Sequence, residues 1–355
     1  MMHFFRRLAK SAARIRIGVL ALALSAGAAA AATDEALLSG SDRLLFGTLG
    51  RDRPAGGGAV YSNTGFNFGL GYTGQPERLT TSVRISPMLY WDPNVNNGLT
   101  QDSVLISGLE FTIPSDMVAQ SGVVYGLEAS ASQRWAVGQG MTIQPEIGLQ
   151  LSNASAWDSP AKSARGAVCA VHTLERGHWS NVCVQQSHYT GGTSRTFDQT
   201  DLMFGHDVFV GGARGGAAHL LGMTARRSFL PEGHRDIFGL RLTSAWPGLG
   251  STTIAAEIGG DIAGIQSRTR FISAGVTRMI YDRPTTFSIF ADQREGSFFL
   301  GEPLVDYGAG ISFSRPLSDW LMIEISAEQK NSTASVYDDD YIRVNFLMPS
   351  LRFYR

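Results

Sequence analysis

Lysine, cysteine and long apolar runs are all scarce in this chain, and each scarcity narrows what it can be. After the first 32 residues no stretch is apolar over the roughly 20 residues that a spanning helix needs, so no helical membrane span is expected there. Lysine occurs only at Lys10, Lys162 and Lys330. Soluble β-proteins usually guard their surfaces and sheet edges with lysine, so its absence speaks against such a sheet, although a GC-rich genome would produce it too. The 30 Lys and Arg balance 31 Asp and Glu, which leaves no basic excess to hold nucleic acid. Neither a Gly-x-Ser-x-Gly elbow nor a His-Glu-x-x-His pair occurs, so the commonest hydrolase and metalloprotease signatures are missing.

What is present begins with an export signal. Arg6, Arg7, Lys10, Arg14 and Arg16 form a basic start, Ile17 to Leu24 an apolar core, and Ala28 to Ala32 a run of small residues before Thr33. That order reads as a signal peptide over 1–32, and its apolar core is too short to span as a helix. The remaining 33–355, roughly 320 residues, is long for one soluble core and carries no domain linker.

Stretches of period two recur along that remainder. Val305, Tyr307, Ala309, Ile311 and Phe313 alternate with Asp306, Gly308, Gly310, Ser312 and Ser314. Successive strand side chains point to opposite faces, so one face is apolar and the other nearly bare. The same pattern runs through 64–72, 79–89, 123–132, 141–151 and 321–328, and more weakly through 104–113, 202–210, 217–227, 237–246, 252–258, 271–281, 286–291 and 341–353. Turn residues separate them, as at Gly74-Gln75-Pro76, Asp92-Pro93-Asn94, Gly138-Gln139-Gly140 and Asp282-Arg283-Pro284. The longest interruption, Asn153 to Gln199, reads as an elaborated loop or hairpin, placed outside the cell because long loops gather on that side.

The polar face separates a membrane barrel from a soluble sandwich, since both alternate. A solvated sheet face carries many charges. Here the polar positions are mostly Gly, Ser, Thr and Asn with isolated charges, as a crowded or water-filled lumen requires. The fold expected is all-β, a closed antiparallel transmembrane β-barrel of about 14 strands, within 12 to 16. Strand parity sends Arg84, Glu128, Glu146, Arg241, Asp306, Glu324 and Glu328 into the lumen. Opposed charges across a water-filled pore would set up a transverse field that selects ions; a narrow barrel filled by salt bridges would conduct nothing. Aromatics near segment ends, Tyr72, Tyr90, Trp91, Trp135, Trp246, Tyr281 and Trp320, would form interfacial girdles.

With these features the chain resembles the bacterial outer-membrane β-barrel (porin-like) superfamily over its whole exported part. The last segment, Tyr341-Ile342-Arg343-Val344-Asn345-Phe346 to Phe353-Tyr354, is aromatic-rich as in that superfamily. It departs in ending on Arg355 and in carrying Pro349, where such barrels end on an aromatic that the assembly machinery reads. The stretch from Glu328-Gln329-Lys330 through Asp338-Asp339-Asp340-Tyr341 is also similar to the closing strands of barrels that assist surface-lipoprotein display. The resemblance implies a Gram-negative outer-membrane location, contact with the lipid bilayer and lipopolysaccharide, and insertion by the outer-membrane assembly machinery. The function it implies is a narrow porin or channel for small polar solutes or ions, with no cofactor. The alternatives are a barrel assisting export or display of a lipoprotein or polysaccharide, a lipid-modifying enzyme of the outer membrane, and a soluble secreted β-protein.

Five smaller features complete the reading. Cys169 and Cys183 are the only cysteines, and in an oxidising compartment such a pair reads as a disulfide pinning a loop. His172, His178 and His188 lie near them at spacings that match no zinc pattern, so no metal is expected. Gly69-Leu70-Gly71-Tyr72-Thr73-Gly74 has dinucleotide-fingerprint spacing without the following helix, and Asp338-Asp339-Asp340 reads as a solvated loop rather than a calcium site. An enzyme would draw on His206 with Asp207, or on His219.

Overall fold

The computed structural model describes residues 33–52, 68–70, 72–96, 98–106, 109–155, 157–175, 177–191, 195–211, 216–347 and 351–354. The expected signal segment, 1–32, lies outside them. Two helices come first, α1 (Thr33–Leu38) and α2 (Asp42–Asp52). Then follow β1 (Glu77–Asp92), a small hairpin of β2 (Ser103–Ile106) and β3 (Leu109–Thr112), β4 (Gly122–Gly138) and β5 (Met141–Ala154). Next come β6 (Trp157–Glu175), β7 (His178–Gly191), β8 (Arg195–Gly211), β9 (Ala218–Leu230) and β10 (Gly233–Trp246). The chain continues through β11 (Gly250–Gly259), β12 (Ser267–Ile280), β13 (Arg283–Phe299), β14 (Glu302–Ser318) and β15 (Leu321–Ser332). It finishes with β16 (Asp339–Leu347) and β17 (Leu351–Tyr354).

All strands except β2 and β3 form one antiparallel sheet, with β1 and β4 to β16 in chain order and β17 beside β1. Its two ends meet at β1. β16 pairs with β15, and β17, a few residues further on, pairs with β1 through Thr80 opposite Tyr354 and Val83 opposite Leu351. β16 also lies alongside β1. Seventeen strands, less the β2–β3 hairpin and with β16 and β17 counted as one closing strand, leave 14 in the wall. In a bilayer only such closure gives every backbone group a partner.

Parity along each strand divides outside from inside. On β13 and β14 the outward residues Phe287, Ile289, Ile311 and Phe313 sit side by side, with the Phe287 and Phe313 rings 5.1 Å apart. The inward residues at the same height are Ser288, Gly310 and Ser312. The outer belt is bounded by polar groups. Arg270 and Arg278 bracket Ile272, Ala274 and Val276 on β12, while on β10 Asp236 and Ser244 bracket Phe238, Leu240 and Leu242. An apolar band of this kind on the outward face of the wall is the exterior of a membrane-spanning barrel.

The two rims differ. At the rim holding the start of β1 and the end of β17 the connections are short, as at Gln139-Gly140, Tyr281-Asp282 and Asp319-Trp320. Tyr281 and Asp282 both take positive φ (48° and 58°), as do Leu300 and Gly301 (53° and 87°) at the other rim. Two central residues of positive φ make the turn whose twist matches paired strands. The longest connection, 93–121, stands at that other rim and carries β2 and β3. It is latched to the last loop where the Thr100 N–H and hydroxyl both donate to the Val336 carbonyl, at 2.8 and 3.0 Å.

Three expected segments fall elsewhere. Residues 153–199 do not stand outside the wall as a loop. They supply β6 and β7, a hairpin within it. Their alternation is weak because the outward positions are small (Ala164, Gly166, Ala170) or polar (Lys162, Gln186, His188), and β6, at 19 residues, outruns the roughly 9–11 needed to cross. The expected strand at 64–72 is absent where described: 68–70 form a turn, and 64–67 lie outside the described residues. The 104–113 pattern is the β2–β3 hairpin of the long loop, not part of the wall.

Leu300 pairs a left-handed backbone with an exposed side chain, so an Asn there removes strain without removing packing. Leu300→Asn is expected to stabilise the folded barrel by about 1 kcal/mol, read as a higher urea midpoint in unfolding followed by tryptophan fluorescence.

Candidate functional site

The interior is lined chiefly by short polar residues and paired charges. Each charged residue expected inside falls on the inward face: Arg84 between Val83 and Ile85, Glu128 between Leu127 and Ala129, and Glu146 between Pro145 and Ile147. Arg241 lies between the outward Leu240 and Leu242, Asp306 beside the outward Tyr307, and Glu324 between Ile323 and Ile325, while Glu328 stands beside the outward Ala327.

Three of these groups, Glu146, Asp306 and Glu328, pair with neighbours along the wall. Arg165 donates to Glu146 at 3.0 Å and Arg268 to Glu257 at 2.7 Å. Arg294 holds Asp292 at 2.8 Å and Glu328 at 3.5 Å, and Lys330 lies 3.3 Å from Asp306, which is only 3% exposed. The β1–β16 seam has its own pair, Arg343 to Asp92 at 3.3 Å, with the guanidinium 4.6 Å from the Tyr90 ring centre. Pairs this wet contribute little stability, about 0–1 kcal/mol each, except where a carboxylate as enclosed as Asp306 would be left alone.

The helices occupy the lumen at the short-turn rim. Ser41 caps α2, its hydroxyl accepting from the Leu44 N–H at 3.2 Å. Arg43 then pairs with the inward Asp207 of β8, and Asp42 with the inward Arg134 of β4 at 3.6 Å. Phe46 packs on Trp179 of β7 and on Phe68 of the 68–70 turn, with ring centres 6.4 and 5.3 Å apart. Trp179 is wholly buried there. Gly47 lies so close to Phe209 that an added Cβ would overlap its ring, which lets α2 sit flush on the wall. α1 packs beneath β10 to β12, and Glu35 accepts from the Gly248 N–H at 2.7 Å. Sequence patterning missed this plug because α1 and α2 are too short to show helical periodicity. The usable signal was Ser41-Asp42 ahead of Leu44 and Leu45.

The aromatic positions divide. Trp91 faces outward at the long-loop rim, and Trp135 and Trp246 face outward near the short-turn rim, where Tyr281 and Trp320 occupy turns. Tyr90 does not belong to a girdle: its parity is inward and it closes the seam with Arg343. Tyr72 does not end a strand; its N–H donates to Gly69 after the turn that seats Phe68. Gly69 takes φ +72° against the Met141 and Gly138 carbonyls, so its glycine serves a tight contact rather than a phosphate.

Cys169 and Cys183 are directly opposed on β6 and β7 and bonded, facing inward near the short-turn rim. The disulfide staples a wall hairpin, not an outer loop. His206 and Asp207 point to opposite faces, so they cannot act together. His206 meets Ser180 at 2.8 Å and His219 meets Ser244 at 2.8 Å, both outward. Among the described residues neither ring has a carboxylate recorded to orient it, which a serine nucleophile would need. No group of three or more potential metal ligands occurs among the described residues.

No family model matches the chain, nor does any curated protein. Among solved structures it is similar to Acinetobacter baumannii OccAB4, at 6% identity and a TM-score of 0.40, over 78% of this chain and 98% of that one. Acinetobacter baumannii OccAB1 gives 6% and 0.41 over 78% and 97%, and Pseudomonas aeruginosa OccK9 (OpdG) gives 7% and 0.39 over 78% and 98%.

Because the disulfide spans 14 positions, its loss should cost roughly 3 kcal/mol on chain-entropy grounds. Cys169→Ala with Cys183→Ala should lower the unfolding free energy from a urea titration by that amount while leaving the heat-modifiable gel mobility of the folded barrel unchanged.

Proposed function

We propose that the protein is a bacterial outer-membrane β-barrel that passes small polar solutes or ions through a narrow lumen. The observation that carries this reading is the interior itself. A membrane barrel with only a structural role can fill its centre with apolar packing, whereas here hydroxyls and paired charges stand beside two phenylalanines around a cavity of about 520 Å³ along β11, β12, β13 and β15. Neutralised charges lower the barrier to polar solutes without trapping either ionic sign. The apolar exterior meets lipid, and the rim charges meet lipopolysaccharide head groups. The aromatic closing strand is the segment that the assembly machinery would engage.

The seated helices favour a second reading, a barrel that assists export or surface display and stays shut at rest. α1 and α2 fill the short-turn rim, so passage depends on how they sit. The two readings diverge in a planar bilayer. The refolded protein should give discrete conductance steps. Phe46→Ala combined with Asp207→Asn removes the aromatic seat and one latch of α2, and should raise the unitary conductance or the open fraction. Silence from protein shown to be inserted, in both the parent and the double variant, would defeat the channel reading and bring export forward.

A further inference from the structure

One recess of the lumen has a chemistry that the passage of unspecified solutes does not require. It is the 520 Å³ space along β11, β12 and β13 that reaches β15, within the range of about 300–1,000 Å³ typical of small-molecule sites. Its walls carry two inward phenylalanines, Phe271 and Phe290, whose ring centres lie 6.4 Å apart at a 32° tilt. Phe290 rests on Gly310, where any Cβ would collide with its ring. The ring is thus set against the wall by a missing side chain. Around these rings stand hydroxyls, Thr253, Ser273, Thr286 and Ser288, and the charges Arg268, Asp292, Arg294 and Glu328.

The charges are already engaged, with two carboxylates sharing one guanidinium at Arg294. Arg294 is shared by Asp292 and Glu328, and Arg268 is bound by Glu257 at 2.7 Å while its guanidinium lies 4.2 Å from the Phe271 ring centre. An anion would meet that carboxylate surplus, and a cation would have to compete with Arg294 for it. An uncharged ligand rich in hydroxyls would do neither, because a carboxylate has about four acceptor sites and a guanidinium five donors, more than one pairing uses. The rings favour a ligand with an apolar C–H face. Hydroxyls on the edge, C–H on the face and no net charge together describe a saccharide.

We infer that this recess is a binding subsite for a neutral mono- or disaccharide, its C–H face on Phe290 and its hydroxyls on the Arg294–Glu328 and Arg268 groups. The inference builds on the reading of the lumen as a solute passage and names the solute class.

The test is direct binding to the full refolded chain in a sugar-free zwitterionic detergent, by saturation-transfer NMR and calorimetry, with glucose, maltose, lysine and succinate as probes. Maltose or glucose should bind, and lysine and succinate should not. Phe290→Ala should weaken sugar binding about tenfold, the usual scale for losing one enclosed aromatic contact. The outward Phe287→Ala on the same strand should leave it unchanged. Should Phe290→Ala fail to fold, Thr253→Trp fills the recess from its other side and should abolish binding. Binding of lysine or succinate in place of sugars, no binding of any probe to folded protein, or equal binding by parent and Thr253→Trp would each overturn the inference. Because binding is read without current, a protein that binds sugar but never conducts would sink the passage reading and leave the subsite standing. One that conducts but binds no sugar would do the reverse.

Discussion

Everything in this molecule depends on the pairing of its last strand with its first. Fourteen strands leave two free edges, and in hydrocarbon every edge N–H and C=O without a partner costs several kcal/mol. β17 pairs with β1, and β16, paired with β15, lies alongside β1, so the two ends of the sheet meet there. The side chains at the seam reinforce this, since Arg343 joins Asp92 and covers Tyr90, and Asn94 reaches Asp339 at 3.4 Å. Closure then fixes which parity faces lipid on every other strand, because antiparallel register transmits the face from each strand to the next.

Once the faces are fixed, the interior is a confined space for which side chains must compete. Glycine settles several of these conflicts. Asp292 lies where a Cβ on Gly308 would be, Asp207 where one on Gly222 would be, and the Phe290 ring where one on Gly310 would be. The nearly bare inward faces are therefore a requirement of the larger groups opposite them. The same crowding explains why charges pair sideways. A carboxylate as enclosed as Asp306 needs a cation within a single side chain's reach, and Lys330, on the adjoining strand, is the group that meets that need.

Much of this was legible in the sequence, and the parts that were not share a cause. Period two exposed the wall wherever outward residues were large and apolar, as from Tyr307 to Phe313. It also assigned the inward parity of residues from Arg84 to Glu328, because the period allows only two answers. It failed on β6 and β7, where the outward face is small at mid-height and polar beyond the bilayer. It misread Phe68, whose alternating neighbours imitate a strand while the ring packs into a plug. Tyr90 was misassigned for a related reason: proximity to a strand end suggests an interface, but only register tells an outward aromatic from one that closes a seam. Pairings between distant segments, such as Asp42 with Arg134, leave no periodic trace.

At the short-turn rim the 33–52 segment inserts groups that the wall lacks. Phe46 joins Phe68 and Trp179 in the only fully dry cluster described inside the barrel, and Arg43 and Asp42 extend to two strands, β8 and β4, that do not touch each other. A segment held at two separated points and seated on one aromatic cluster moves as a unit or not at all. The short-turn rim is therefore occupied through a few contacts of the 33–52 segment, while the recess along β11, β12, β13 and β15 is built by the wall alone. Plug and recess thus reside in different parts of the sequence, and a change in one need not disturb the other.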